Sequence, residues 1–599
     1  MSASDLTEYI QQLRLDVDSL ADARVGEIVG KVLNLVEAVV AEDRRLRDEN
    51  QHLREIISQL KGKPPSPARP SPSPSRDVSS EKERQKRTPP SRGVPRADGR
   101  GFRDVHVHKE IICPVDPASL PPDAKPAGYE DVVVQDLRIQ NYNIRYRLEI
   151  WHSPSQGSLR GKLPLGVTGE YGPELKALLV SLKYVAGTSL PRAHEFMEHC
   201  GVVISPATVS NIVRDAAALF HDEKEEIFRA GLAATAYQHI DDTSARVGGE
   251  FWHTHIVCNP FHSTYFTTPH KDRLTILDLL RGGQRTYRFN GLTQRLLEEF
   301  RVPLKWQRLA TAAPQDRDLS EAELEDLLEQ WCRPPRPACL DRVREAAALA
   351  SYRARPDHVR ILVGDDAKQA KHVSDEFGLC WIHEGRHYKE LSPVVPQHQQ
   401  QLEMFRTCYW DFYRKLQEYQ DRPTPAMAEQ LREEFDKLFA TRTGYEALDE
   451  RIAMTGGKKE SMLTVLAHPE TPLHNNPAEL GERVAARRRD VSLHCVKPEG
   501  ARGMDTLTSI VQTAKKLLVN GYEYLRDRIS GLRKMPSLAS LIRQRSRPPP
   551  TLPPNPSPIF QSLADTAPAI ALTPSLALRW ILLLGQHRPL HVLTHTASI

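Results

Sequence analysis

Apolar residues recur every seven positions near the start of the chain: Val25, Val32, Val39, Leu46, Leu53 and Leu60. Val29, Val36 and Ile57 fill an alternate seam, in which Asp43 and Asn50 are the polar members. A seven-residue period held this long predicts a coiled-coil helix over 1–61, with Asn50 placed to fix register. It implies a homo-oligomer; the competing reading is an amphipathic helix packed on its own chain. The pattern stops at Gly62. Pro64, Pro65, Pro67, Pro70, Pro72 and Pro74 forbid regular structure, so 62–103 is expected to be a stiff, basic linker. Short apolar runs at 132–137 and 144–151 predict a small β-rich module within 104–168.

From Tyr171 the spacing becomes helical. Pro173 opens one helix through Leu175, Leu178, Leu179 and Leu182. A second runs from Leu190 to His199 and ends at Cys200-Gly201. Ser205 caps a third, with Pro206 at its first position. Two helices joined by a short Gly turn predict a helix-turn-helix within 169–230. Its last helix carries Thr208, Ser210, Asn211 and Arg214 on or near the exposed face that would meet a DNA groove.

Strand patterns follow at 237–242, 250–258, 263–268, 359–364 and 379–382, with helical runs at 274–280 and 368–376. Two segments interrupt them, an Arg-rich one at 282–356 and a polar helical one at 392–470. Without these, 231–500 reads β-β-β-α-β-α-β-α, which suits a ribonuclease-H-like mixed sheet with acids meeting at one edge. The fold class expected is therefore multidomain α/β: coiled coil, helix-turn-helix and a mixed sheet with two insertions. Leu507, Ile510, Val511, Ala514 and Leu517 predict C-terminal helices over 501–547. Residues 548–599 lack a pattern and are expected to be a poorly ordered tail.

Candidate chemistry lies where strands meet acids. Asp241-Asp242 and Asp365-Asp366 each follow an apolar strand run, and adjacent carboxylates repel unless a cation or basic partner offsets them. An Asx-type turn into Gly248-Gly249 would explain the first pair alone. A third acid, Glu479, follows Asn475-Asn476-Pro477 at a helix start, where a capping-box role competes. Two strand carboxylates and one helix carboxylate are what a two-metal phosphodiester site needs. Arg483 and Arg487 lie one and two turns beyond Glu479, with Arg488 and Arg489 beside them, so this helix could face a DNA backbone or simply water. His383, at the end of an expected strand, is either a site residue or a satisfied core histidine.

Composition narrows the setting. The 599 residues hold 81 Lys plus Arg against 77 Asp plus Glu, so any nucleic-acid footprint must be local. Eight cysteines without regular spacing suit a reducing compartment. His106, His108, Cys113 and His152 lack a Cys-x-x-Cys pair, so zinc is not expected there. The start lacks a basic and apolar leader. The apolar run 576–584 is short and carries Arg579, so no membrane span is expected. A cytoplasmic, nucleoid-associated protein is expected.

Four stretches together resemble the transposases of the IS66 family, an acidic-triad (DDE) class with a ribonuclease-H-like core: His239-Ile240-Asp241-Asp242-Thr243-Ser244-Ala245-Arg246-Val247, Gly364-Asp365-Asp366, Cys380-Trp381-Ile382-His383 with Arg386, and Asn475-Asn476-Pro477-Ala478-Glu479. The later Asn520-Gly521-Tyr522-Glu523-Tyr524-Leu525-Arg526-Asp527 is similar to that family's ending. The resemblance implies that Asp241, Asp365 and Glu479 are catalytic metal ligands for two Mg2+ ions, with Mn2+ able to substitute. It puts Asp242, Asp366, His383, Asn475 and Asn476 beside them. It gives Thr208, Asn211, Arg214, Arg483, Arg487 and Arg488 to double-stranded DNA, at element ends and target. The activity implied is cleavage and strand transfer of a mobile element; the alternative is a transposase-derived DNA-binding protein that does not cut. The chain departs from the family pattern in having His474 before the Asn pair, Leu480 after Glu479, and only Cys113-Pro114 where a Cys-rich ribbon is usual.

Overall fold

The computed structural model describes residues 23–60 and 107–547, apart from 117–120, 122–123, 126–127, 138, 166, 168, 334–336 and 493–494. The expected linker at 62–103, the tail at 548–599 and His106 lie outside these residues.

The described residues begin with helix α1 (Ala23–Leu60), and their next regular elements are a small hairpin of β1 (Ile150–Ser153) and β2 (Gly157–Arg160). Helices α2 (Pro173–Tyr184), α3 (Leu190–His199), α4 (Pro206–Leu219) and α5 (His221–Leu232) come next. Ser189 and Ser205 cap α3 and α4 by accepting from the backbone N–H of Arg192 and Thr208.

The central sheet has the order β5-β4-β3-β8-β9. Strand β3 (Tyr237–Val247) pairs antiparallel with β4 (Glu250–Cys258), which pairs antiparallel with β5 (Ser263–Thr268). Gly248 and Gly249 close the β3–β4 turn at φ of 60° and 87°, a region that glycine enters without strain. On its other side β3 runs parallel to β8 (Ile361–Gly364), and β8 parallel to β9 (Glu376–Leu379). The first insertion fills the crossover from β5 to β8: α6 (Arg273–Arg281), β6 (Tyr287–Arg288), α7 (Gly291–Glu299), α8 (Leu304–Ala312), β7 (Asp318–Leu319), α9 (Glu321–Trp331) and α10 (Cys339–Arg353). After β9 come α11 (Trp381–Glu390), then the second insertion with α12 (Pro396–Asp421), α13 (Pro425–Phe439), α14 (Glu446–Gly456), α15 (Lys459–Met462) and α16 (Thr464–Ala467). Helices α17 (Asn476–Ser492), α18 (Pro498–Lys516), α19 (Gly521–Ile529) and α20 (Leu538–Arg545) complete the described chain.

Strand alternation sorts the core. Ile240, Val257 and Leu362 pack with Trp306 and Leu349 of the first insertion and Tyr409 and Leu448 of the second. Both insertions therefore bury the same side of the sheet. On the opposite side Ile256, Cys258 and Tyr265 pack against Ala478 of α17. Strand β5 is a sheet edge, and α18 covers it. Asp505, Ser509 and Thr513, spaced one turn apart, accept from the backbone N–H of Thr267 (2.6 Å), Tyr265 (3.0 Å) and Ser263 (3.2 Å). Helices α2–α5 share a second core with α18, α19 and α20.

Several expectations differ from the structure. Strand β3 does not end at Asp241-Asp242. It continues to Val247 because β4 keeps pairing with it; only the parallel ladder with β8 stops, after His239 faces Val363. The helix expected at 368–376 is a run of turns, with His372 at φ 70°. The strand expected at 379–382 ends at Leu379, and Trp381 begins α11. Trp381 is buried, with its backbone N–H bonded to Leu473 and its indole N–H to Met462. A short apolar run reads alike as buried strand or buried helix.

Helix α1 docks on its own chain. Leu33, Val36 and Val40 pack against Val394 and Val395, and buried Glu37 accepts from the backbone N–H of both. The seven-residue seam points elsewhere: Val25, Val32, Val39, Leu46 and Leu53 are exposed. Among the described residues, no helix is long and apolar enough to cross a membrane.

Candidate active site

The register of β3 and β8 sets the first two acids side by side. His239 faces Val363 across the parallel ladder. Two residues further along β3 comes Asp241, and Asp365 follows just past the end of β8 at Gly364, close enough for its charge to act on Asp241. Side chains alternate, so Asp242 turns to the other face. There it meets Lys271 Nζ (3.4 Å) and Gln369 Nε2 (3.1 Å).

Helix α17 crosses that first face and delivers Glu479. Its close approach needs Gly481, where a Cβ would lie 2.8 Å from Ile256 Cγ2 and 3.2 Å from the Tyr265 hydroxyl. Glu479 is only 7% exposed. Its Oε2 accepts from Arg386 at 3.3 Å, whereas Oε1 is buried with no hydrogen-bond partner among the described residues. His383 Nε2 stands 3.6 Å from that Oε1. An unpaired buried carboxylate oxygen is costly, and a cation is a natural partner for it.

Asn475 ties the segments together. Its Nδ2 donates to the Ile240 carbonyl (2.9 Å) and to Asp241 Oδ2 (3.3 Å). Its Oδ1 lies 3.1 Å from Nδ1 of buried His239, and its backbone N–H donates to Cys380 Sγ at 3.2 Å. Burial pushes the Asp241 carboxyl up to about 8, and the charges of Asp365, Glu482 and Glu479 add to it; the bond from the Asp242 N–H opposes them. Four acids thus act on one locus. A cluster whose members repel in this way fits divalent cations, whose charge would reverse the shift.

Comparison with known proteins decides the family. The family model described as Transposase IS66 family matches residues 168–293, from α2 through Asp241 into the first insertion. An uncharacterized protein of Sinorhizobium fredii (strain NBRC 101917 / NGR234), y4jO, is 30% identical over 310 residues, which is 51% of this chain and 94% of the relative. The chain belongs to the IS66 transposase family. No solved structure matches it.

The IS66 chain distributes its other candidate residues unevenly. Asp366 is held by Lys371 (2.6 Å) and by Lys458 (2.8 Å), a residue of the second insertion that also pairs with buried Glu384 at 3.0 Å. His383 sits in the first turn of α11, not at a strand end. Asn476 is buried in the first turn of α17. Arg483 and Arg487 are exposed, but Arg488 is half-buried and stacks over Tyr184 at 4.9 Å, so it is packed against α2 and not on the open face. Arg489 donates to Ser244 Oγ at 2.9 Å. On α4, Asn211 and Arg214 are exposed and Thr208 is half-buried beside Ser205. The sequence pattern gives no site role to Glu482 or Lys458, and carries Arg386 only within a matched stretch. The first was detectable, since it lies three residues after Glu479 on the same helix face. The partnership of Lys458 with Asp366 spans 92 residues of sequence and has no local signature.

Proposed function

We propose that this protein is a DNA transposase of the acidic-triad class, in which Asp241, Asp365 and Glu479 hold two divalent cations. The observation that carries the reading is the convergence of these carboxylates, with Glu479 Oε1 buried without a hydrogen-bond partner among the described residues and Asp241 pushed up to about 8. The donors are all carboxylate oxygens, which suits magnesium, with manganese able to substitute. When bound, such ions activate a water or a 3′-hydroxyl and stabilise the leaving oxygen in phosphodiester cleavage and strand transfer. The chain's own residues supply the frame. Asn475 holds Asp241 in orientation, Arg386 balances the second oxygen of Glu479, and Lys458 with Lys371 neutralises Asp366 so that Asp365 alone is left for a cation. The strand order, three antiparallel strands followed by two parallel ones, supports a ribonuclease-H-like core.

Double-stranded DNA is the proposed partner. Thr208, Asn211 and Arg214 on α4, as the second helix of a helix-turn-helix, would read element ends, and Arg483 and Arg487 would contact the phosphate backbone. The exposed seam of α1 would join a second copy of the chain. The test is magnesium-dependent nicking of DNA carrying the element's ends, wild type against Glu479→Gln. Gln keeps the shape and removes the charge. Nicking is expected to fall by roughly two to three orders of magnitude or more, with the melting temperature preserved. Undiminished nicking in Glu479→Gln would remove it from the triad. DNA binding without nicking in the wild type would make the chain a DNA-binding protein that does not cut.

A further inference from the structure

A second group of side chains meets at Glu479. Cys380, His383 and Glu479 each bring one ligand atom to within 4.8 Å of the other two. They arrive from the β9–α11 junction, the first turn of α11 and the first turn of α17. Two of the three have unused capacity. Glu479 Oε1 and His383 Nδ1 are buried without hydrogen-bond partners among the described residues. The sulfur is prepared as an acceptor: the backbone N–H of Asn475 reaches it at 3.2 Å, and those of Ile382 and His383 at the start of α11 are aimed at it as well. N–H groups at a helix start favour a thiolate. Burial alone keeps the thiol protonated, pushed up to about 12, but a coordinated divalent cation deprotonates a thiol outright.

We propose that Cys380, His383 and Glu479 form a binding site for a thiophilic divalent cation of the zinc type, sharing only Glu479 with the acid triad. Sulfur, imidazole and carboxylate make three protein ligands, and the fourth position of a tetrahedral ion stays open. Magnesium prefers oxygen donors and would not compete for the sulfur. The two sites therefore select different metals through ligand softness. Because Glu479 belongs to both, a zinc-type ion would withhold it from the triad. That consequence rests on the transposase reading, whereas the site does not.

The experiment is titration of the full-length protein with cobalt(II), a spectroscopic stand-in for zinc. The wild type is expected to show a thiolate-to-cobalt charge-transfer band and the visible bands of a four-coordinate ion, both erased by added zinc. Cys380→Ser and His383→Ala are each expected to lose the charge-transfer band or weaken it at least tenfold, while thermal melts verify that they fold. His383 is half-buried, so its variant decides the matter if the buried Cys380→Ser fails to fold. No band in the wild type, or an equal band in the folded variants, would overturn the proposal. Failure of magnesium-dependent nicking would instead overturn the transposase reading and leave the cobalt result standing.

Discussion

Two pairs of adjacent acids cross the central sheet, and within each pair the fates diverge. Asp242 turns to the side covered by the insertions and finds Lys271 and Gln369. Asp366 finds Lys371 and Lys458. Asp241 lies on the α17 side, where the charges of Asp365, Glu482 and Glu479 act on it. Asp366 is held below the ordinary carboxylate range by the two lysines despite its burial, and Asp241 is pushed far above it. Within β3, alternation sends Asp241 and Asp242 to opposite faces, whereas Asp365 and Asp366 follow the end of the strand at Gly364 and differ in the partners they meet. Sequence alone shows two equivalent Asp-Asp pairs; the fold makes one member of each pair a ligand candidate and the other an anchor.

The contrast breaks first in activity. Asp241→Asn is expected to lower magnesium-dependent nicking by roughly two to three orders of magnitude, whereas Asp242→Asn should change it less than about tenfold. A gel assay of both variants at matched concentration checks this. Equal losses would erase the distinction between the two faces.

Stability should separate the same residues in the opposite sense. Lys458→Ala leaves Asp366 with Lys371 and strips one partner from Glu384, which keeps Arg451 and Thr455. Removing one member of a buried ionic group costs about 3–5 kcal/mol at most, and less where other partners remain. A denaturant titration should therefore show Lys458→Ala destabilised by about 1–3 kcal/mol and Asp241→Asn unchanged or stabilised, since the latter relieves repulsion.

The most gradual effect is on pH. Asp241 moves from an ordinary 3.8 to about 8 in the folded chain, so its proton is held more tightly in the native state. Its contribution to stability is complete below about 3.8 and is lost as pH rises through about 8. In metal-free buffer the wild-type stability should decline between about pH 4 and 8, by at most about 1.4 kcal/mol per pH unit, and the melting temperature should fall with it. Asp241→Asn should decline less, and added magnesium should flatten the wild-type slope.

Much of this arrangement was legible in the sequence, and its gaps have physical causes. Helices α2 and α4 announce themselves through Pro173 and Ser205-Pro206 at their starts, because such signals act within one turn. The order of the strands along the chain also follows from local pattern. The β9–α11 boundary did not, because Leu379 to Ile382 is buried throughout and carries no period. For the docking of α1 the sequence offers only a general alternative, an amphipathic helix packed on its own chain. That docking depends on Glu37 meeting the N–H groups of Val394 and Val395, more than 350 residues away. Arg488 looked like part of a basic face, yet the tyrosine it stacks on belongs to α2, a contact that periodicity cannot reveal.

The central claim, that Asp241, Asp365 and Glu479 bind cations as one site, is tested most directly by iron-mediated affinity cleavage. Iron(II) replaces magnesium, and radicals generated with ascorbate and peroxide cut the backbone beside the bound ion. The account predicts fragments ending near residues 241, 365 and 479, suppressed together by excess magnesium and absent in Asp241→Asn. Cuts at one of these positions only, or at none while iron is bound elsewhere, would contradict it.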